Sequence, residues 1–264
     1  PALSEATVTL DEAAIDHARR FGGVARLFGA AALEALGASH IVVVGVGGVG
    51  SWAAEALARS AVGRITLVDM DHVAESNINR QIHALDTTLG RSKIEAMAER
   101  IAAISPRCRV DLVDDFVDPG NASVLVPADA DVVIDAIDSP AAKAALVAAC
   151  VARGQAVIVC GGAGGRTDPL QLRQGDLADS RHDPLLASLR ARLRREHGFP
   201  RAGKGRFGVP ALWFDAPGPG GIAPAGGSGT PLACAGYGSL VTVTAPLGFA
   251  AAGLALQRAL ALRS

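Results

Sequence analysis

The chain has 264 residues, 50% of them hydrophobic and only 4% aromatic, with four cysteines and a formal net charge of -1 at pH 7. That composition excludes a disordered chain and asks for a core of Ala, Val, Leu and Ile, in one large domain or two small ones. Near-neutrality excludes a wholly basic nucleic-acid coat but allows a local basic patch, and cysteines with no C-x-x-C pair suggest neither a zinc ribbon nor a disulfide framework.

In chain order, PALSEATVTLDEAAIDHARR carries acidic residues early and lacks the basic-then-apolar layout of a secretory signal, so a cytoplasmic location is expected. Residues 11–36 read as two short helices separated by RFGG at 20–23. From 39 to 162 apolar runs alternate with helical stretches. HIVVVG, RITLVD, RVDLVD, DVVIDA and AVIVCG read as strands, and 48–60, 91–103 and 139–153 as helices. Such alternation predicts an α/β fold, a doubly wound, mostly parallel Rossmann-like sheet with helices on both faces.

Beyond it the character changes. A helix at about 183–196 is crowded with arginine, and the strand-like RFGVPALWF follows. In residues 216–230 nine of fifteen are Gly or Pro, which predicts a mobile loop. No charge occurs from Ala216 to Gln257. The apolar run 240–256 approaches the roughly 20 residues of a membrane span. Its Pro246, Gly248 and Gly253 suit a closely packed helix, buried or at a dimer interface, better than a membrane anchor.

The first strand runs into GVGGVG, whose Gly45, Gly47 and Gly50 satisfy G-x-G-x-x-G, with Gly48 between them. Asp69 ends the second strand, 19 positions after Gly50. Strand, tight turn and helix N-terminus make an anion site, and the acidic residue is placed to hold a ribose. By itself this fits a redox dinucleotide or ATP. Residues C-terminal to Asp69 discriminate between the two: Asn77 and Arg80 in N-x-x-R-Q, Lys93, and Asp138 in VVIDAIDSP. Hydride transfer has no need of two cations and a second carboxylate near the phosphates. Cleavage of ATP between its α and β phosphates does: cations offset charge on departing pyrophosphate, and a carboxylate organises Mg²⁺. Asp135, at the strand end, reads either as the second carboxylate or merely as a cap of the next helix, with Asp138 the preferred ligand, and Asn79 reads equally as a turn residue.

RFGGVARLFG, GVGGVGSWAAEALARS, SNINRQIHAL, AMAERI, VDDFV, VIDAIDS, KAAL, GGAGG and CAGYG together resemble the ubiquitin-activating-enzyme-like (ThiF/MoeB/HesA) adenylating family over nearly the whole chain. The resemblance implies that Gly45, Gly47, Gly48 and Gly50 line the ATP phosphates and Asp69 takes the ribose, with Asp71 beside it. It implies that Asn77, Arg80 and Lys93 contact phosphates, that Asp138 organises Mg²⁺, and that Arg20 reaches the ATP of the other subunit in a homodimer. It divides the chain into an N-terminal helical arm (1–38), an ATP-binding core (39–165) and a C-terminal extension of the same domain (166–264) for substrate binding and dimerisation.

Family members that activate the C-terminus of a ubiquitin-like or sulfur-carrier protein commonly carry two C-x-x-C pairs, and their absence favours another branch. The resemblance then implies ATP-dependent dehydration of threonylcarbamoyladenosine beside the tRNA anticodon, through adenylation of its threonyl carboxylate. Adenylation of a ubiquitin-like protein is the alternative. A tRNA partner turns attention to residues 180–206, which hold eight of the 25 Lys and Arg, among them Arg190, Arg194, Arg195, Arg201, Lys204 and Arg206. Cys234 is read three ways: as a nucleophile, as an acceptor of sulfur from a cysteine desulfurase partner, or as a packing residue. CGGAGGRTDP, after the fifth strand, reads either as backbone donors near the substrate or as a simple turn.

Overall fold

The structure, a computed structural model, describes residues 17–216 and 238–263. Each apolar run of the central region is a strand: β1 (His40–Val44), β2 (Arg64–Val68), β3 (Arg109–Val113), β4 (Val132–Asp135) and β5 (Ala156–Cys160). They pair in parallel in the order β3-β2-β1-β4-β5. Between them run α3 (Gly50–Arg59), α4 (Lys93–Ile104), α5 (Ala122–Leu125) and α6 (Pro140–Ala152). Two short helices, α1 (His17–Phe28) and α2 (Ala30–Gly37), precede the sheet.

All of these strands but the edge strand β3 are buried on both faces, because their side chains alternate between two apolar layers. Ile41 and Val43 of β1 join α3, α4 and the last helix, α8 (Val241–Ala261), in one layer. Val42 and Val44 face the other layer, with α6 and the arginine-rich α7 (Pro184–Glu196). The sheet is completed by β7 (Pro210–Phe214), parallel to β5, and by the edge strand β6 (Leu172–Asp176), antiparallel to β7.

Two local expectations are corrected. RFGG lies inside α1, whose end falls instead at Gly29, where φ is +94°. β6 has no counterpart among the strands expected from sequence: LRQGD is polar and half exposed, as an edge strand is, and offers no alternating apolar signal.

The apolar α8 is a core helix. Val243, Leu247, Ala251, Ala252, Ala255 and Ala259 are buried, and a Cβ added at Gly248 would lie 2.4 Å from the Val49 carbonyl oxygen. Small residues on this face are what let α8 approach α3 so closely. The Gly/Pro-rich stretch from residue 217 onward and Cys234 lie outside the described residues.

Candidate active site

The C-terminal ends of the parallel strands open into a cavity of about 560 Å³, within the range of small-molecule sites. Its floor is the turn after β1. Gly45 has φ +86°, and a Cβ there would sit 2.9 Å from the Ala136 carbonyl oxygen, so conformation and close approach both require glycine. Gly47 and Gly48 line the cavity. Gly50 is not among the residues that line it. A Cβ on it would fall 1.8 Å from the Gly45 carbonyl oxygen, so its glycine serves the packing of α3 against the turn.

Asp69, just past β2, accepts from the Val46 N–H at 2.7 Å and the Asp71 N–H at 2.9 Å, and also lines the cavity. Burial raises its pKa, against the opposing charge of Lys93 and these two hydrogen bonds. Asn77 ends a short 3-10 turn, its Oδ1 accepting from the Ala74 N–H at 3.1 Å. The Arg80 backbone is fixed from two helices: Trp52 Nε1 and Thr244 Oγ1 both donate to its carbonyl, at 2.9 and 3.4 Å. Its guanidinium donates to the Ser76 carbonyl and to Asn79 Oδ1. Asn79 in turn donates to the Ser239 carbonyl at 2.7 Å, tying this turn to the chain ahead of α8.

Lys93, the first residue of α4, is buried, and its Nζ lies 2.6 Å from Asp71 Oδ2. Asp138 sits at the mouth, after β4. Asn77, Arg80, Lys93, Asp69, Asp71 and Asp138 are thereby brought to one cavity. Five carboxylates line it (Asp69, Asp71, Asp115, Asp118, Asp138) against two cations, Arg80 and Lys93, among the described residues. A polyphosphate held there calls for additional positive charge.

Other wall residues carry no signal of a role in the sequence taken singly: Gln81, Phe116, Val117, Ser139, Leu185 and Ser239. Gln81, Phe116, Val117 and Ser139 do fall within the informative stretches SNINRQIHAL, VDDFV and VIDAIDS. Leu185 gives no signal, because it reads as one more apolar residue of α7. Asp135 is no helix cap. It is fully buried and ion-paired with the equally buried Lys143, 3.0 Å away. His83 is also buried, and burial together with Lys93 and Arg100 lowers its pKa to about 4, so it is neutral at physiological pH.

Arg20 is not in this chain's cavity. It donates to the carbonyls of Ala103 and Ile104 at the end of α4. The basic segment divides in two. Arg190 is half-buried and donates to Ser180 Oγ, and Arg194 donates to the Pro200 carbonyl while stacking 5.2 Å from the Phe207 ring, so both serve the fold. Arg195, Arg201, Lys204 and Arg206 are exposed, with Arg195 paired to Glu196 and Arg206 to Asp179. Cys108, Cys150 and Cys160 are buried, and burial pushes their thiols up to about 12, 11 and 12.

A model of the ThiF family matches residues 21–258. The tRNA threonylcarbamoyladenosine dehydratase of Escherichia coli K12 is 46% identical over 252 residues, covering 92% of this chain and 94% of its own. That of Haemophilus influenzae is 42% identical over 94% of this chain and 96% of its own. The crystal structure of the E. coli tRNA N6-threonylcarbamoyladenosine dehydratase TcdA in complex with ATP superposes with a TM-score of 0.84 at 46% identity, covering 93% of this chain and 96% of that one.

Proposed function

The chain belongs to the ThiF family, and from that premise we propose that it catalyses the ATP-dependent dehydration of threonylcarbamoyladenosine in tRNA. The observation that carries the proposal is the convergence of Gly47, Gly48, Asp69, Asn77, Arg80, Lys93 and Asp138 on one cavity, in a chain so similar to dehydratases over their full length.

The nucleotide lies with its ribose at Asp69 and its phosphates over the glycine turn at the N-terminus of α3. A threonyl carboxylate oxygen attacks the α-phosphorus, the bond to the bridging oxygen breaks, and pyrophosphate leaves. Arg80 and Lys93 offset the charge that develops on it. An atom of the same modified nucleoside then attacks the acyl carbon. The ring closes, AMP departs with the carboxylate oxygen, and a proton is released, so the substrate has lost the elements of water. Because the second attack is intramolecular, the protein need only hold the reactive groups in register.

Mg²⁺ fits the residues present. Carboxylates line the cavity, Asp138 among them, and an ion otherwise held by phosphate oxygens and water takes one or two such groups. Asp138 is the residue to hold it, and the ion would neutralise phosphate charge. The excess of carboxylates in the cavity also supports a second source of positive charge, Arg20 of the other subunit in a homodimer. The exposed Leu27 and Phe28 of α1, 74% and 49% accessible, support such an interface. The exposure of Arg201, Lys204 and Arg206 supports contact with the tRNA backbone, and a tRNA substrate agrees with a cytoplasmic location.

The test is mass spectrometry of nucleosides from tRNA carrying threonylcarbamoyladenosine, incubated with the protein and Mg²⁺, with and without ATP. An ATP-dependent loss of one water, abolished in Lys93→Ala and Asp138→Ala, is the expected result. Unchanged turnover in both variants would refute the assignment.

A further inference from the structure

Across the C-terminal edge of the sheet, strand order sets the order of the cavity-lining loops. Phe116 and Val117 follow β3, Asp69 follows β2, Gly47 and Gly48 follow β1, Asp138 follows β4, and Gly161 to Ala163 follow β5. Neighbouring strands are about 4.8 Å apart, so the β5 loop stands roughly 10 Å beyond the glycine turn. With base and ribose toward β3 and β2 and phosphates over β1, the β4–β5 end is left for the group being joined to the α-phosphate.

The two glycines of that loop are there for different reasons. A Cβ on Gly161 would fall 2.2 Å from Asp183 Oδ2 and 3.1 Å from the Leu212 carbonyl oxygen, so the protein itself forbids a side chain. A Cβ on Gly162 would meet nothing nearer than 3.9 Å, from Asp183 Oδ1 and Leu185 Cβ, and its backbone is not left-handed. Neither conformation nor packing demands glycine at 162. The loop is nevertheless held firmly. The Gly162 N–H donates to Asp183 Oδ2 at 2.9 Å, while Asp183 Oδ1 accepts from the Leu186 N–H as the cap of α7. Leu185, in the first turn of that helix and 3.9 Å from where a Gly162 Cβ would sit, and Ser139, the residue that caps α6, both line the cavity.

We infer that Gly162, Leu185 and Ser139 form the subsite for the acyl group, an α-amino-acid residue with a small hydroxylated side chain, and that the missing side chain of Gly162 sets the size it accepts. Leu185 offers an apolar wall to a methyl group and Ser139 a hydroxyl to a hydroxyl, which is the chemistry of a threonyl side chain. The assignment rests on the adenylation of a tRNA-borne amino acid proposed above.

Gly162→Ala and Gly162→Val test it by a size exchange. Each variant is assayed for melting temperature, for ATP affinity by calorimetry with Mg²⁺, and for dehydration of two tRNAs, one bearing threonylcarbamoyladenosine and one bearing the glycyl analogue. Melting temperature and ATP affinity are expected to stay at wild-type values. KM for the threonyl tRNA should rise about 10- to 200-fold, the discrimination that one methylene commands, while the glycyl tRNA loses far less and the preference shifts toward it. Parallel loss on both tRNAs, an equal loss of ATP affinity, or unchanged KM in both variants would overturn the subsite. If wild-type protein dehydrates neither tRNA, the functional reading fails and the subsite fails with it.

Discussion

Replacing Lys143 by Met tests what the buried ion pair does. Lys143 and Asp135 are both completely buried with Nζ 3.0 Å from Oδ1, and Nζ also donates to the Ile137 carbonyl at 3.0 Å. Asp135 Oδ1 further accepts from the Ile137 N–H at 3.2 Å. These bonds brace the loop between β4 and α6, which carries Asp138. Lys143→Met leaves a carboxylate with no counter-charge, a change that costs about 3–5 kcal/mol. For a domain of this size, with about 2–4 °C per kcal/mol, the melting temperature should fall by roughly 6–20 °C.

Burial already pushes the Asp135 pKa up against the pull of Lys143. Without the lysine, the folded pKa stands still further above the unfolded one. The folded state then binds more protons than the unfolded state. Stability of the variant is therefore fully present below the unfolded pKa and lost as pH rises through the folded one, by at most about 1.4 kcal/mol per pH unit. Thermal unfolding followed by circular dichroism from pH 5 to 8 measures both effects. The double variant Lys143→Met/Asp135→Leu should recover most of the stability, since apolar replacement of a buried pair is often neutral, while pyrophosphate release stays slow because Asp138 has lost its brace. A single variant that loses less than about 1 kcal/mol, or a double variant as active as wild type, would refute the reasoning.

Gly50→Ala places a Cβ 1.8 Å from the Gly45 carbonyl oxygen and forces the phosphate turn to move; the rate of pyrophosphate release should fall about 100-fold, the scale of a 1 Å misplacement, and a wild-type rate would contradict the packing role. The triple variant Arg201→Ala/Lys204→Ala/Arg206→Ala should lower the slope of log tRNA affinity against log salt by about 2–3 without changing melting temperature. Arg190→Ala should do the opposite, costing about 1–2 kcal/mol of stability through its lost bond to Ser180 and leaving the salt slope intact. Cys108, Cys150 and Cys160, with thiols at about 12, 11 and 12, should resist iodoacetamide at pH 8 until the protein is unfolded, as peptide mapping would show.

The parts of this protein that can be read from sequence are those whose determinants are close together in the chain. The valine-rich runs of β1, β4 and β5 can only be strands buried on both faces, and the turn from Gly45 to Gly50 carries its own steric instructions. Asp69, Asn77, Arg80 and Lys93 succeed one another within 25 residues, so the phosphate end of the site is legible without any coordinate. The helix break is misplaced by sequence because a Gly-Gly pair costs a helix only about 2 kcal/mol, an amount that packing of the buried Phe21 offsets. The edge strand β6 escapes detection because a strand with one exposed edge has no need of apolar alternation.

Tertiary structure decided the space at the far end of the cavity, where CGGAGGRTDP by itself reads as donors or as a turn, and the meaning of the charges. Gly162 and Leu185 come together there from two separate elements, with Ser139 of a third on the wall of the same cavity. Glycine at 161 and glycine at 162 are the same letter until the Asp183 carboxylate is placed beside them. Lys143 would pass for a solvated lysine, and Arg190 and Arg194 for a nucleic-acid contact, until burial gives each an internal partner. A sequence records propensity and local sterics, whereas burial, ion pairing and the space left for a ligand are sums over neighbours that only the folded chain brings within reach.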